Sequence, residues 1–332
     1  MENWQNRQIL RWDEFRERWG LRDLLSPLMV ALCLLLLVWL ALGWYWSREP
    51  RQFPVTAVGP VEAPPGLVLV TVEERLARTL VDKPGGFIDN DVMPPGSMMD
   101  DMPAWERGVL GEVRDFVAAL ALPGRLDALA SPADPDVADA VSAFNVDPGA
   151  WSLPSAESEF RRGADALHRH AERMEEPGGR ALAMREVQLD HWLVAVQARL
   201  DGLTARLNAA QATSLRGVTV APGTEAVPTT PWNQVDDVFF EARGASWALL
   251  HQLKAAEIDF DALLAARHAD LDLRAAIHEL EATQQPVWSP VILNGAGFGV
   301  FANHSLVMAN YLGRASARLG EVESQLLDVP VP

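Results

Sequence analysis

Seven histidines and 45 acidic side chains are the groups in this chain that could hold a metal or move a proton, and their spacing decides whether they do. Helical di-iron bundles place Glu-x-x-His on one helix face. The nearest match is Asp165-x-x-His168, with a shorter carboxylate and no second copy. His168 and His170 stand two apart, on roughly opposite sides of a helix, and His278-Glu279 leads to Ala282 where a zinc-protease motif needs histidine. Asp89-Asn90-Asp91 and Asp100-Asp101 offer oxygen ligands for calcium, but Met93 stands where an EF-hand needs its third. The carboxylates read as turn formers, the histidines as solvated or core-satisfied side chains, and no cofactor or metal is expected.

One loop merits a ligand hypothesis. Asn294 and Gly295-Ala-Gly297-Phe-Gly299, ahead of Asn303, His304 and Ser305 at a helix start, would offer backbone N–H groups to an anion. Val300 replaces the third glycine of GxGxxG, no GK[ST] follows and no βαβ unit precedes it. Glycines that let Phe298 and Phe301 pack closely are the preferred account, and these seven residues are the candidate loop if a ligand exists. Gly244-Ala-Ser246-Trp-Ala248 falls short of the hydrolase elbow, whose serine needs a strand-to-helix turn. Ser246 reads as structural, with Trp247, Leu249, Leu250 and Leu253 beside it at core spacing. Asp236-Asp237 enrich a first helical turn, where carboxylates offset the positive dipole end.

The elements that carry these residues begin with an anchor. Residues 27–46 read PLMVALCLLLLVWLALGWYW, twenty residues without a charge, enough at about 1.5 Å per residue to span the ~30 Å hydrocarbon core. Ser26 and Pro27 suit an N-cap and first turn, and Trp44, Tyr45 and Trp46 an aromatic belt. The run is too long for a cleaved signal peptide. Arg7, Arg11, Arg16, Arg18 and Arg22 precede it, against Arg48 and Arg51 after it. The expected topology is single-pass in a bacterial inner membrane, N-terminus cytoplasmic and everything after the anchor periplasmic. Ile9, Trp12, Phe15 and Trp19 recur at helical spacing in the cytoplasmic tail, residues 1–26, which reads as an interfacial helix. Net charge −17 excludes nucleic acid as a partner, and the single Cys33, inside the apolar run, excludes an internal disulfide.

Beyond the anchor the fold class is all-α, a multi-helix bundle with irregular loops. Five prolines over residues 47–66 predict an extended tether that lifts the body off the bilayer. A first helical region covers 67–212. In it a capping box at Thr71-Val-Glu-Glu74 opens a helix that Pro84-Gly85-Gly86 ends, residues 87–103 form an irregular loop, Pro103 and Pro135 sit at helix starts, and Ser155 begins a segment that Pro177-Gly178-Gly179 terminates. Leu189, Leu193, Val196, Leu200, Leu203 and Leu207 repeat every 3.5 residues, like a coiled-coil seam, facing either another helix of the chain or a second copy. Residues 213–230 read as a flexible linker, and 231–332 as a second helical region, with helices over about 233–258, 260–284 and 303–327. Residues 68–70 and 291–293 are short β-like exceptions.

Thr230-Pro-Trp232, the run from Asp236 to Gly244, and the run from Val287 to Gly299 give the chain a familiar look. Asp82-Lys-Pro-Gly-Gly86, Phe144-Asn-Val-Asp147 with Trp151, Glu157-Ser-Glu-Phe-Arg161 and the run from Ala302 to Tyr311 add to it. The chain resembles a proteobacterial family of single-pass inner-membrane proteins classified only as a domain of unknown function. That resemblance implies a topology and assigns no activity.

The expected function is a membrane-tethered scaffold or adaptor of the cell envelope, leaning away from an enzyme. Its partners would be inner-membrane lipid, other envelope proteins and a second copy of itself. The alternative is an envelope enzyme or small-ligand module using the loops at 87–103 and 294–305.

Overall fold

The computed structural model of the protein describes residues 21–59, 63–122, 134–214, 234–287, 292 and 304–327. Among them are ten α-helices and no strand. The first, α1 (Leu21–Trp46), contains the one stretch among the described residues, Pro27–Trp46, long and apolar enough to cross a membrane, and no part of that stretch's apolar window is buried. Pro27 lies inside α1 rather than in its first turn. Proline forfeits one backbone bond there, a loss that a long apolar helix tolerates. The tail expected as an interfacial helix falls almost wholly outside the described residues.

The described part of the Pro-rich segment, residues 47–59, contains no helix or strand, and it is not a free spacer. Phe53, Val55 and Val58 pack against the core, and Glu49 pairs with the buried Arg243 at 2.6 Å. The segment is a strap bound along the body.

The body comprises α2 (Leu67–Asp82), α3 (Asp101–Leu120), α4 (Pro135–Phe144), α5 (Ala156–Glu175), α6 (Glu186–Ser214), α7 (Val235–Asp259), α8 (Asp261–Ala266), α9 (Asp270–Thr283) and α10 (His304–Leu327). Its axis is α7, buried on nearly every face from Ala242 to Ala256, as a helix apolar all round must be. Helices α3, α2, α9, α6 and α10 surround it. The most extensive contact, α3 on α7, depends on two glycines. A Cβ on Gly108 would stand 2.1 Å from the Glu241 carbonyl oxygen, and one on Gly244 2.0 Å from that of Trp105. Without side chains there, the two backbones touch and Trp105 meets Trp247 in a tilted arrangement with ring centroids 5.1 Å apart. One continuous core joins residues from before and after the 213–230 segment, most of which lies outside the described residues.

The seam from Leu189 to Leu207 is buried at all six positions, and α6 packs it chiefly on α10 of the same chain. No second copy is needed to cover it. The single helix expected over 260–284 is two, α8 and α9, broken at His268, whose φ is 58°.

Helix α2 starts at Leu67, four residues before the expected capping box, so residues 68–70 are helical rather than β-like. Its N-cap, Gly66, has φ 97° and no side chain to offer. The cap comes from α7, where the Asp259 carboxylate accepts the Val68 and Leu69 N–H groups at 3.2 and 2.8 Å, a good place for an anion. Thr71 Oγ instead donates back to the Leu67 carbonyl. Ser155 and Asp134 do cap α5 and α4. Of the exception at 291–293, only Ile292 is described, and it is not in a strand.

Candidate functional site

Among the described residues, three polar clusters bring together different elements of this apolar body and hold charge away from water. The first clasps the strap. His251 on α7 donates Nδ1–H to the Trp247 carbonyl at 2.7 Å and accepts the Phe53 N–H at Nε2, 3.1 Å away. The rings of Phe53 and His251 stack with centroids 3.9 Å apart, and the Arg75 guanidinium covers the other part of the clasp, 4.0 Å from the Phe53 ring. Burial pushes His251 down to about 4, which keeps the imidazole neutral and its acceptor lone pair available. Two turns earlier Arg243 joins the strap's Glu49 to the end of α9, donating to the Thr283 and Gln285 carbonyls at 2.9 Å.

The second cluster shapes the turn after α2. Lys83 and Glu106, both buried, pair at 2.5 Å. Glu106 also accepts the Ile88 and Asp89 N–H groups at 2.9 and 2.8 Å, and Lys83 donates to the Gly86 carbonyl at 2.6 Å. Burial pushes Glu106 up to about 7 against the pull of Lys83, and pushes Lys83 down. Gly85 in this turn has φ 89°, and a Cβ there would meet the Trp46 ring at 2.9 Å. The turn is therefore the seat of the last residue of α1.

The third cluster lies where α2, α3, α6 and α7 meet. Glu73 and Glu112 are fully buried. Gln252 donates to Glu73 Oε2 at 2.8 Å, and Arg199, bound to Asp115 at 2.6 Å, approaches Glu112 Oε1 to 3.6 Å. Both carboxyl oxygens of Glu112, Oε1 of Glu73 and Oε1 of Gln252 have no hydrogen-bond partner in the protein. Burial raises Glu73 well above the usual carboxylate range and pushes Glu112 up to about 8, Arg199 opposing. At neutral pH Glu112 thus keeps its proton. Chemically the pair can store a proton and fix the register of four helices. It lacks the ligand set of a metal site, and no group of three or more metal-binding side chains occurs among the described residues.

The residues singled out from the sequence fall elsewhere. His304 opens α10 with its ring 6.2 Å from that of Phe239, and Ser305 is fully buried in the same turn. Asn294, Gly295, Gly297, Gly299 and Asn303 lie outside the described residues. In the loop at 87–103, Asp89 pairs with Arg107 at 2.6 Å, Asn90 donates to Glu157 at 3.1 Å and Asp100 caps α3. His168 binds Glu74 at 3.1 Å, and Asp165 binds Arg78 at 2.9 Å. Ser246 donates to the Ala242 carbonyl, as a structural mid-helix serine does. Metal-motif spacing does not mark Glu73, Glu106 or Glu112, although apolar spacing marks the first and the last. Leu69, Glu73, Leu76 and Leu80 form one apolar stripe, and Trp105, Val109, Glu112 and Phe116 another. An acid in such a stripe is a buried acid.

A family model described as an uncharacterized protein conserved in bacteria (DUF2333) matches residues 19–328. No curated protein and no solved structure matches the chain.

Proposed function

Since the chain belongs to that uncharacterised bacterial family, we propose that it is a single-pass membrane-anchored scaffold or adaptor of the bacterial cell envelope. In this reading α1 spans the inner membrane with the N-terminus in the cytoplasm, and the helical body faces the periplasm. The observation that carries it is the unburied apolar stretch Pro27–Trp46, joined without slack to a helical body. The excess of arginine before α1 over that after it supports the orientation. Several of the body's charged groups hold its own elements together: Arg243 ties the strap to α9, Glu106 shapes a turn and Asp259 caps α2. Such an arrangement suits a rigid platform whose surfaces meet other proteins.

The test is chemical crosslinking and pull-down of the full-length protein from its native membrane, with external protease applied to spheroplasts. Recovery of one defined set of envelope proteins, and digestion of the body from outside, are the expected results. A body shielded from external protease would overturn the topology. Absence of any reproducible partner would overturn the scaffold role.

A further inference from the structure

Two loops of the body expose large apolar side chains. Val92, Met93 and Met98 stand on one and Trp151 and Leu153 on the other, each between 61% and 101% exposed. Single exposed hydrophobics need no explanation, but a cluster of five does. The first loop touches the end of α1: Pro95 Cβ lies 3.7 Å from where a Cβ on Gly43 would stand. The second loop is tied to the first through Asn90, whose amide donates to the Ala150 carbonyl at 3.0 Å and to Glu157 at 3.1 Å. Trp44 and Tyr45 are also exposed in this last turn of α1, with the Arg48 guanidinium 3.8 Å over the Trp44 ring. Tryptophan, tyrosine and arginine are the residues that sit at a membrane–water boundary. The strap, bound along the body, leaves no length with which to hold these loops away from that boundary.

We propose that residues 92–98 and 151–153 insert into the headgroup region of the leaflet from which α1 emerges, so that the body rests on the bilayer through its own loops. This rests on α1 being a membrane span. The occupant is lipid rather than another protein because the patch is continuous with the helix that lipid already surrounds.

The experiment uses the full-length chain in liposomes, labelled at single cysteines with an environment-sensitive fluorophore. Native Cys33 reports on α1, and in a Cys33→Ala background Met98→Cys and Leu153→Cys report on the two loops. Leu271→Cys, exposed on α9, is the aqueous reference. Expected at positions 98 and 153 are a blue-shifted emission, quenching by lipids spin-labelled near the headgroup, and loss of the iodide quenching seen at 271. Iodide quenching at 98 or 153 equal to that at 271, with Cys33 still quenched by deep spin labels, would overturn the proposal and leave the span standing. Iodide quenching at Cys33 itself would overturn both. Shielding at 98 and 153 in native membranes but not in liposomes would assign the patch to a protein and also overturn it.

Discussion

The backbone N–H of Phe53 and the Nε2 of His251 meet at 3.1 Å across 198 positions of sequence, and that bond exists only while the imidazole is neutral. His251 falls from an ordinary value of 6.5 to about 4 in the folded protein, chiefly through burial. The unfolded chain therefore binds more protons between those values. The stability this group contributes is present above pH 6.5 and lost as pH drops toward 4, up to roughly 3 kcal/mol for a shift of that size. Acidification from pH 7 to 4.5 should lower the melting temperature of the wild type more than that of His251→Gln. Equal losses in the two proteins would remove His251 from the account.

Glu112 works in the opposite direction. Its folded value near 8 exceeds the ordinary 4.5 because burial disfavours the charge, so its stabilising contribution is full below pH 4.5 and fades as pH rises through 8. Glu112→Gln keeps the shape and removes the ionisation. It should raise the unfolding free energy at pH 9 by on the order of a few kcal/mol and have little effect at pH 5. Denaturant unfolding at the two pH values decides this, and a variant that destabilises equally at both would show that Glu112 is charged in the fold.

The contact between α3 and α7 predicts a sharp size limit. Gly108→Ala or Gly244→Ala drives a methyl group into a backbone carbonyl and should cost about 1–3 kcal/mol. Gly202→Ala, on α6 with open space around it, should instead gain about 0.4–1 kcal/mol by restricting the unfolded chain. Thermal melts of the three variants test the close approach, and a harmless Gly108→Ala would contradict it.

Leu200 and Leu203 sit in the α6 seam at 0% and 4% exposure. Changing both to Asp places two charges in a packed interior and should abolish folding. Circular dichroism showing a folded protein, with size-exclusion chromatography showing a smaller species, would instead mean that the seam joins two chains.

Much of the architecture is legible in local signals, because proline, serine and apolar spacing act on their immediate neighbours. Pro135 and Ser155 mark helix starts, Pro84 marks an end, and the Leu189 to Leu207 repeat identifies a buried face. The misreadings share a cause, which is control from far along the chain. Thr71 looks like a cap, but Asp259 supplies it from 190 residues away. Five prolines look like a spacer, but Phe53 finds a ring to stack on and Glu49 a buried guanidinium. Glu73 and Glu112 show in the sequence only as polar interruptions of apolar stripes, which the spacing of metal motifs does not mark. Of the glycine loop that suggests a ligand, only His304 and Ser305 lie among the described residues.

The strap has a mechanical consequence. With Trp46 seated on the Gly85 turn, Glu49 held by Arg243 and Phe53 by His251, a pull or tilt of the helix reaches the central helix through bonded groups, with no slack to absorb it. Helix α1 and the body are joined like a lever with a fixed joint rather than a buoy on a chain.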